Sequence, residues 1–254
     1  MALPAKASIA VEIACDSVAG AQTAAATGAT RLELCQCLEQ GGLTPSLGLL
    51  QSVKAAVRIP VFVMIRPRPG DFLYDDGEFD AMRRDVAHAR AAGADGIVCG
   101  MLLPSGAIDR ERFREVRAAA GPLPITCHRA FDLSVDALAA IDALVELGVQ
   151  RILTSGQAAN ATAGIATLRA CVQHAKGRLI VMAGAGIHDG NVRELVAASG
   201  VREVHLSATA WTGSAMSFRR PGVPMAATPP IDEYVQRSTD GALVARVVAA
   251  LRNA

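Results

Sequence analysis

Two carboxylates, two imidazoles and a guanidinium interrupt stretches that otherwise read as short aliphatic strands. Glu12 lies in SIAVEIAC, Glu33 in RLELC, Arg66 at the end of VFVMIR, His128 in ITCHR and His205 in EVHLS. Side chains alternate across a strand, so each stretch divides into two faces. Ala10, Glu12 and Ala14 oppose Ile9, Val11 and Ile13; Arg31, Glu33 and Cys35 oppose Leu32 and Leu34; Phe62, Met64 and Arg66 oppose Val61, Val63 and Ile65. Thr126 shares a face with His128, and Glu203 and Ser207 share one with His205. If the aliphatic faces pack on helices, the polar faces gather Glu12, Glu33, Arg66, His128, Ser155, His205 and Ser207 on one axis. Such a set can run acid–base chemistry: one carboxylate, its pKa raised by burial or its neighbour, as general base, His128 or His205 as partner acid, and Arg66 on the substrate's charge. The alternative is that the groups neutralise one another, with Arg66 pairing Glu12 or Glu33 in a network that only fills space.

Loops expected at the same end add a second signal. Ala183-Gly184-Ala185-Gly186 and Ser207-Ala208 offer backbone N–H groups suited to a small or phosphorylated anion, so Gly184, Gly186, Ser207 and Ser155 are candidate binding residues. Glycines there also serve simply as tight turns. Arg66-Pro-Arg68 could clamp an anion with two guanidiniums, or be a solvated loop. Cys15, Cys35, Cys37, Cys99 and Cys127 all fall near strand ends. Thiolates suit Cu(I), so Cys15, Cys35 and Cys37 are candidate metal ligands, against the plain role of cysteine as a small core residue.

The elements that must position these groups repeat eight times as strand, loop and helix. Strands are expected over 8–14, 31–35, 61–66, 96–100, 124–129, 151–155, 179–184 and 203–207, with helices between them such as 79–92, 110–119 and 135–147. Gly28, Gly93, Gly148 and Gly200 stand between a helix and the next strand, where a left-handed residue closes the helix. Eight such units predict an α/β fold, a single (β/α)8 TIM barrel over 1–254, in preference to an open doubly wound sheet. A long irregular loop, 209–239, follows strand eight and suits a lid, an oligomer contact or disorder.

Composition narrows the partners. The chain has 25 basic and 24 acidic residues, and aromatics make up 4%, so neither an electrostatic footprint nor a stacking surface for nucleic acid is present. No stretch approaches a membrane span, the start reads as a strand and not a secretion signal, and the spread of six cysteines suits reduced thiols in the cytoplasm.

The segments VEIACDS, LELCQCLEQGGLTPSLG, PVFVMIRPRPGDFLYDDGEF, ITCHRAFD, RILTSGQ, IVMAGAGI and EVHLSA, in this order, resemble the copper homeostasis protein CutC family over nearly the whole chain. The resemblance implies a cytoplasmic (β/α)8 barrel, often a homo-oligomer, that binds or handles Cu(I) through cysteines. Cys35 stands at the family's E-L-C position and Cys15 next to its E-I-C position, where Ala14 replaces a cysteine many relatives carry. Cys127 stands where relatives commonly have phenylalanine, and Pro69 where they have glycine. Glu12, Glu33, Arg66, His128, Arg129, Asp132 and His205 match the family pattern. Three functions remain open at this point: Cu(I) handling, an enzyme acting on a small anion, and a scaffold without a ligand.

Overall fold

The computed structural model describes residues 9–223 and 232–252. Eight parallel strands close on themselves in chain order: β1 (Ala10–Cys15), β2 (Arg31–Leu34), β3 (Val61–Met64), β4 (Gly96–Cys99), β5 (Ile125–Cys127), β6 (Arg151–Thr154), β7 (Ile180–Ala183) and β8 (Glu203–Leu206), with β8 pairing back on β1. Helices α1 (Val18–Ala26), α2 (Leu47–Ala56), α3 (Asp76–Ala91), α4 (Arg110–Ala120), α5 (Ala137–Glu146), α6 (Ile165–Ala175), α7 (Val192–Ser199) and α8 (Gly241–Arg252) follow them. This is the (β/α)8 barrel that the repeat predicts; the outermost parts of 1–254 and residue 8 of the first expected strand lie outside the described residues.

The alternation of faces is what the structure uses. Ile13, Leu32, Val63, Ile97, Ile125, Ile152 and Val204 are buried in one continuous layer with the helices, while Cys35, Phe62, Met64 and Val98 form a separate cluster inside the barrel. Burial of each such aliphatic side chain contributes about 1.5–3 kcal/mol, so the outer layer fixes the register that turns the polar face inward. Local signals agree. Asp75 and Glu78 form a capping box at the start of α3, and Gly28, Gly93, Gly148 and Gly200 all have positive φ after their helices.

Two expectations need correction. The ladders stop earlier than the apolar runs do, so Arg66, His128, Ser155 and Ser207 lie one or two residues past β3, β5, β6 and β8. Pro67 has no N–H to extend a ladder, and a 3-10 turn (Arg129–Leu133) starts directly after His128. These side chains therefore belong to the rim. The segment 209–239 is also not all irregular: β9 (Thr209–Gly213) and β10 (Val235–Thr239) form an antiparallel ribbon, Trp211 opposite Arg237, while 224–231 lie outside the described residues. Arg237 ties the ribbon to the rim through Asp16 at 3.3 Å and the Ser207 carbonyl at 3.4 Å.

Candidate functional site

The barrel floor carries a layer of charge. Arg151, the first residue of β6, donates to Glu203 at 2.6 and 3.1 Å. Glu203 also accepts from Arg31 at 2.5 Å, and the Arg31 Nε donates to Glu12. Both guanidiniums stand over the Phe62 ring, 5.1 and 5.4 Å from its centroid. Phe62 fits because residue 96 is glycine: a Cβ there would lie 2.5 Å from the ring. The expected partner of Glu12, Arg66, is thus replaced by Arg31. The signal for Arg31 was present in the R-L-E-L-C alternation, which sets it on the face of Glu33; Arg151 and Glu203 open their strands, where a charge reads as a solvated end.

Above this layer Glu12, Glu33 and His205 bring ligand atoms within 4.8 Å of one another. Glu12 accepts from the His205 Nδ1 at 2.8 Å, and the His205 Nε2 stands 3.7 Å from the Glu33 carboxylate. Burial pushes the Glu12 carboxyl up, but the His205 hydrogen bond and the Arg31 charge outweigh it and hold the group at about 2. Burial first, and then the Glu12 charge, raise Glu33 above the ordinary carboxylate range against the pull of His205. Burial lowers His205, and the Glu33 charge with the Glu12 hydrogen bond more than reverses this. One carboxylate is thereby held as an anion while burial pushes its neighbour toward the protonated form.

A cavity of about 510 Å³ opens at the carboxyl ends of the strands, lined by Glu33, Arg66, His128, Arg129, His205 and the loops after β7 and β8, among others. The buried Glu33 Oε1, His128 Nε2 and Arg66 Nε have no hydrogen-bond partner among the described residues. A buried polar atom without a partner costs about 1–3 kcal/mol, so three from one cavity wall mark the place a ligand completes. The other Arg66 nitrogens are committed: they donate to the carbonyls of Gln40, Gly42 and Gly70 at 2.9, 3.2 and 2.9 Å, pinning the loop that carries Cys37 and Gly41. Arg66 is therefore a loop clasp more than a substrate clamp. Arg68 is spent on Glu78 and Asp71. Arg129, held by Asp132 at 2.7 Å and the Ser155 hydroxyl at 3.0 Å, is the guanidinium that the sequence reading left without a site role.

Of the four candidate binding residues, Gly186 and Ser207 line the cavity. Ser155 is turned away, its hydroxyl shared by Asp132 and the Ala158 carbonyl, and Gly184 packs behind, where a Cβ would lie 2.5 Å from Leu153. Ala185, Gly186 and Ala208 have φ of 76°, 72° and 40°. Two alanines in the left-handed region within one cavity wall are strain of the kind that accompanies binding sites.

The three candidate metal thiols do not gather. Cys15 is buried in the helix-facing layer, Cys35 inside the barrel, and Cys37 is exposed in a left-handed turn. Burial pushes Cys15 up to about 12, and burial and the Glu33 charge push Cys35 well above the ordinary thiol range. Among the described residues no group of three potential ligands includes a cysteine. The side chains do not fit a two- or three-thiolate Cu(I) site, because Cys15 follows the alternation of β1 to its last residue and points away from Glu12 and Cys35.

A closed eight-stranded parallel barrel with its helices outside defines a (β/α)8 barrel protein. The chain belongs to the CutC family, which matches it over residues 9–210. It is 45% identical over 243 residues to the copper homeostasis protein cutC homolog of Homo sapiens, covering 96% of this chain and 89% of that one. The Mus musculus homolog is 46% identical over 230 residues, 91% of this chain and 85% of the relative. The crystal structure of CutC from Streptococcus agalactiae superimposes with a TM-score of 0.75 at 32% identity, covering 78% of this chain and 97% of that one.

Proposed function

We propose that this member of a copper homeostasis family is an enzyme that moves a proton on a small anionic molecule held in the mouth of the barrel. The observation that carries the proposal is the buried Glu33 Oε1, left without a partner in the cavity wall while its other oxygen faces the His205 imidazole at 3.7 Å. Glu33 is the base, poised upward by burial. His205, anchored by Glu12, is the acid that stands beside it. Arg129 and the turns at Gly186 and Ser207 take the anionic group, with Arg129 in the role first expected of Arg66. The test is titration of the protein with phosphoglycolate, followed by backbone amide shifts. Saturable shifts at Gly186, Ser207 and Ala208 that weaken in Arg129→Gln are expected; no saturable binding into the millimolar range would refute the anion site.

The same protein separates this function from Cu(I) binding through thiolates. In a Cu(I) competition titration Cys15→Ser, Cys35→Ser and Cys37→Ser are each expected to match the wild type, since no two of the three share a layer. Loss of stoichiometric, tight binding in any of them would instead give copper a site. We infer further that the protein works in the cytoplasm, where its six free thiols stay reduced, and as a homo-oligomer through the exposed Trp211, Met216 and Phe218 at the ribbon. Light scattering of the purified chain tests the second point.

A further inference from the structure

The fold dictates where the His128 proton sits. The Nδ1 accepts the Ala130 backbone N–H at 3.1 Å, so that nitrogen carries a lone pair and the ring proton is on Nε2. Nε2 is the buried atom without a partner, on a side chain that walls the same cavity as Glu33. The ring is wedged in place: a Cβ at Gly100 would lie 2.6 Å from its Cε1, and the Phe72 ring stacks on it at 4.8 Å, tilted by 47°. Arg66 in turn covers Phe72 at 5.2 Å. Burial and then the Arg66 charge push the imidazolium down to about 3, so the ring stays neutral through the working range of a protein.

A neutral, immobile N–H in a dry wall is poorly matched to a preformed anion, for which Arg129 is available. It is well matched to a carbonyl oxygen whose charge grows as the neighbouring carbon loses a proton. Resting on the acid–base function above, we propose that the substrate is an anionic carbonyl compound with a hydrogen on the carbon next to the carbonyl, and that the His128 Nε2–H polarises the carbonyl oxygen while Glu33 removes that hydrogen. The Glu33 Oε1 forms an O–H bond as the C–H bond breaks. The C–H electron pair becomes the C=C bond of an enolate, and the carbonyl π pair moves to the oxygen that accepts from Nε2. Glu33 or the His205 imidazolium returns a proton to the enolate. No oxidant or reductant enters.

The test compares two phosphate-bearing probes on the full chain: phosphoglycolohydroxamate, whose planar oxyanion imitates the enolate, and glycerol 3-phosphate, an alcohol with no such oxygen. The hydroxamate is expected to bind about 10- to 100-fold more tightly, the worth of one hydrogen bond to a charged acceptor. His128→Ala should remove most of that preference and leave glycerol 3-phosphate binding within about twofold. Equal affinities in the wild type, or a preference retained in His128→Ala, would overturn the proposal while leaving the anion site standing; binding of neither probe would overturn both. Should the variant not fold, 15N-histidine spectra of the wild type decide. His128 must show a protonated Nε2 and a bare Nδ1 from pH 5 to 9, with the Nε2 resonance moving on hydroxamate addition; a proton on Nδ1, or an unmoved Nε2, would overturn the proposal.

Discussion

Replacing Glu12 by glutamine keeps the shape of the side chain and removes its charge, which makes it the sharpest probe of the barrel interior. Glu12 is fully buried and lies between the His205 Nδ1 and the Arg31 Nε. A fall from 4.5 to about 2 corresponds to about 3 kcal/mol of folding stability. The rise of His205 comes first from the Glu33 charge, and the part due to Glu12 is the same contact seen from the other side, so it is not added. Because the folded-state value lies below the ordinary one, this stability is fully present above about pH 4.5 and is lost as pH falls through about 2. Glu12→Gln should therefore be about 3 kcal/mol less stable than the wild type at pH 7, and at pH 3 the gap should shrink to about half of that. Urea unfolding followed by circular dichroism at the two pH values measures both gaps, provided the slopes agree. An equal loss at pH 7 and pH 3 would mean that the amide merely fits badly. No loss at pH 7 would mean that Arg31 and His205 gain nothing from this carboxylate.

Glu33→Gln should do the opposite. A carboxyl raised by burial contributes stability only below its ordinary pKa and loses it as pH rises, so the variant should melt above the wild type at pH 8 and level with it near pH 4, by calorimetry. Arg66→Gln removes two contacts to the loop at residues 40 and 42, so exchange of the Gln36 and Leu43 amides, which bridge that loop, should quicken by about 10- to 100-fold in hydrogen-exchange mass spectrometry. Gly96→Ala drives a methyl into the Phe62 ring and should cost about 1–3 kcal/mol in the same urea assay, with Arg31 and Arg151 losing their shared platform.

Strand periodicity made the barrel and the inward set legible, because an outer aliphatic layer leaves only one choice of face. Glu12, Glu33 and His205 follow from it directly. Arg66 shows where the rule ends: two residues past β3 and before Pro67, it reaches sideways to loop carbonyls rather than into the axis. Ser155 fails for another reason. Its hydroxyl is taken by Asp132, 23 residues earlier in a different loop, and no local pattern announces that bond. Arg129 was hidden likewise, since what aims it at the mouth is the same Asp132 and Ser155. Cys15 shows the rule holding to the last residue of a strand, since it packs in the outer layer with Val11 and Ile13.

The floor network explains why charge is buried in this barrel at all. Four ionised side chains in a dry interior bring little net stability, and well-packed apolar residues would serve the fold as well. What the network does supply is order. Arg151, Glu203, Arg31, Glu12, His205 and Glu33 alternate in sign from the floor to the mouth, each in contact with the next. The His205 hydrogen bond and then the Arg31 charge keep Glu12 ionised, and the Glu33 charge and then the Glu12 hydrogen bond raise His205. His205 then faces one oxygen of Glu33, and the other, Oε1, is buried without a partner among the described residues. Arg31→Met removes a charge that holds both Glu12 and His205 down, so the pH at which the His205 imidazole gives up its proton in 15N-histidine spectra should rise, while the barrel, built on the outer aliphatic layer, stays closed; an unmoved His205 titration would mean that the floor charges do not reach the mouth.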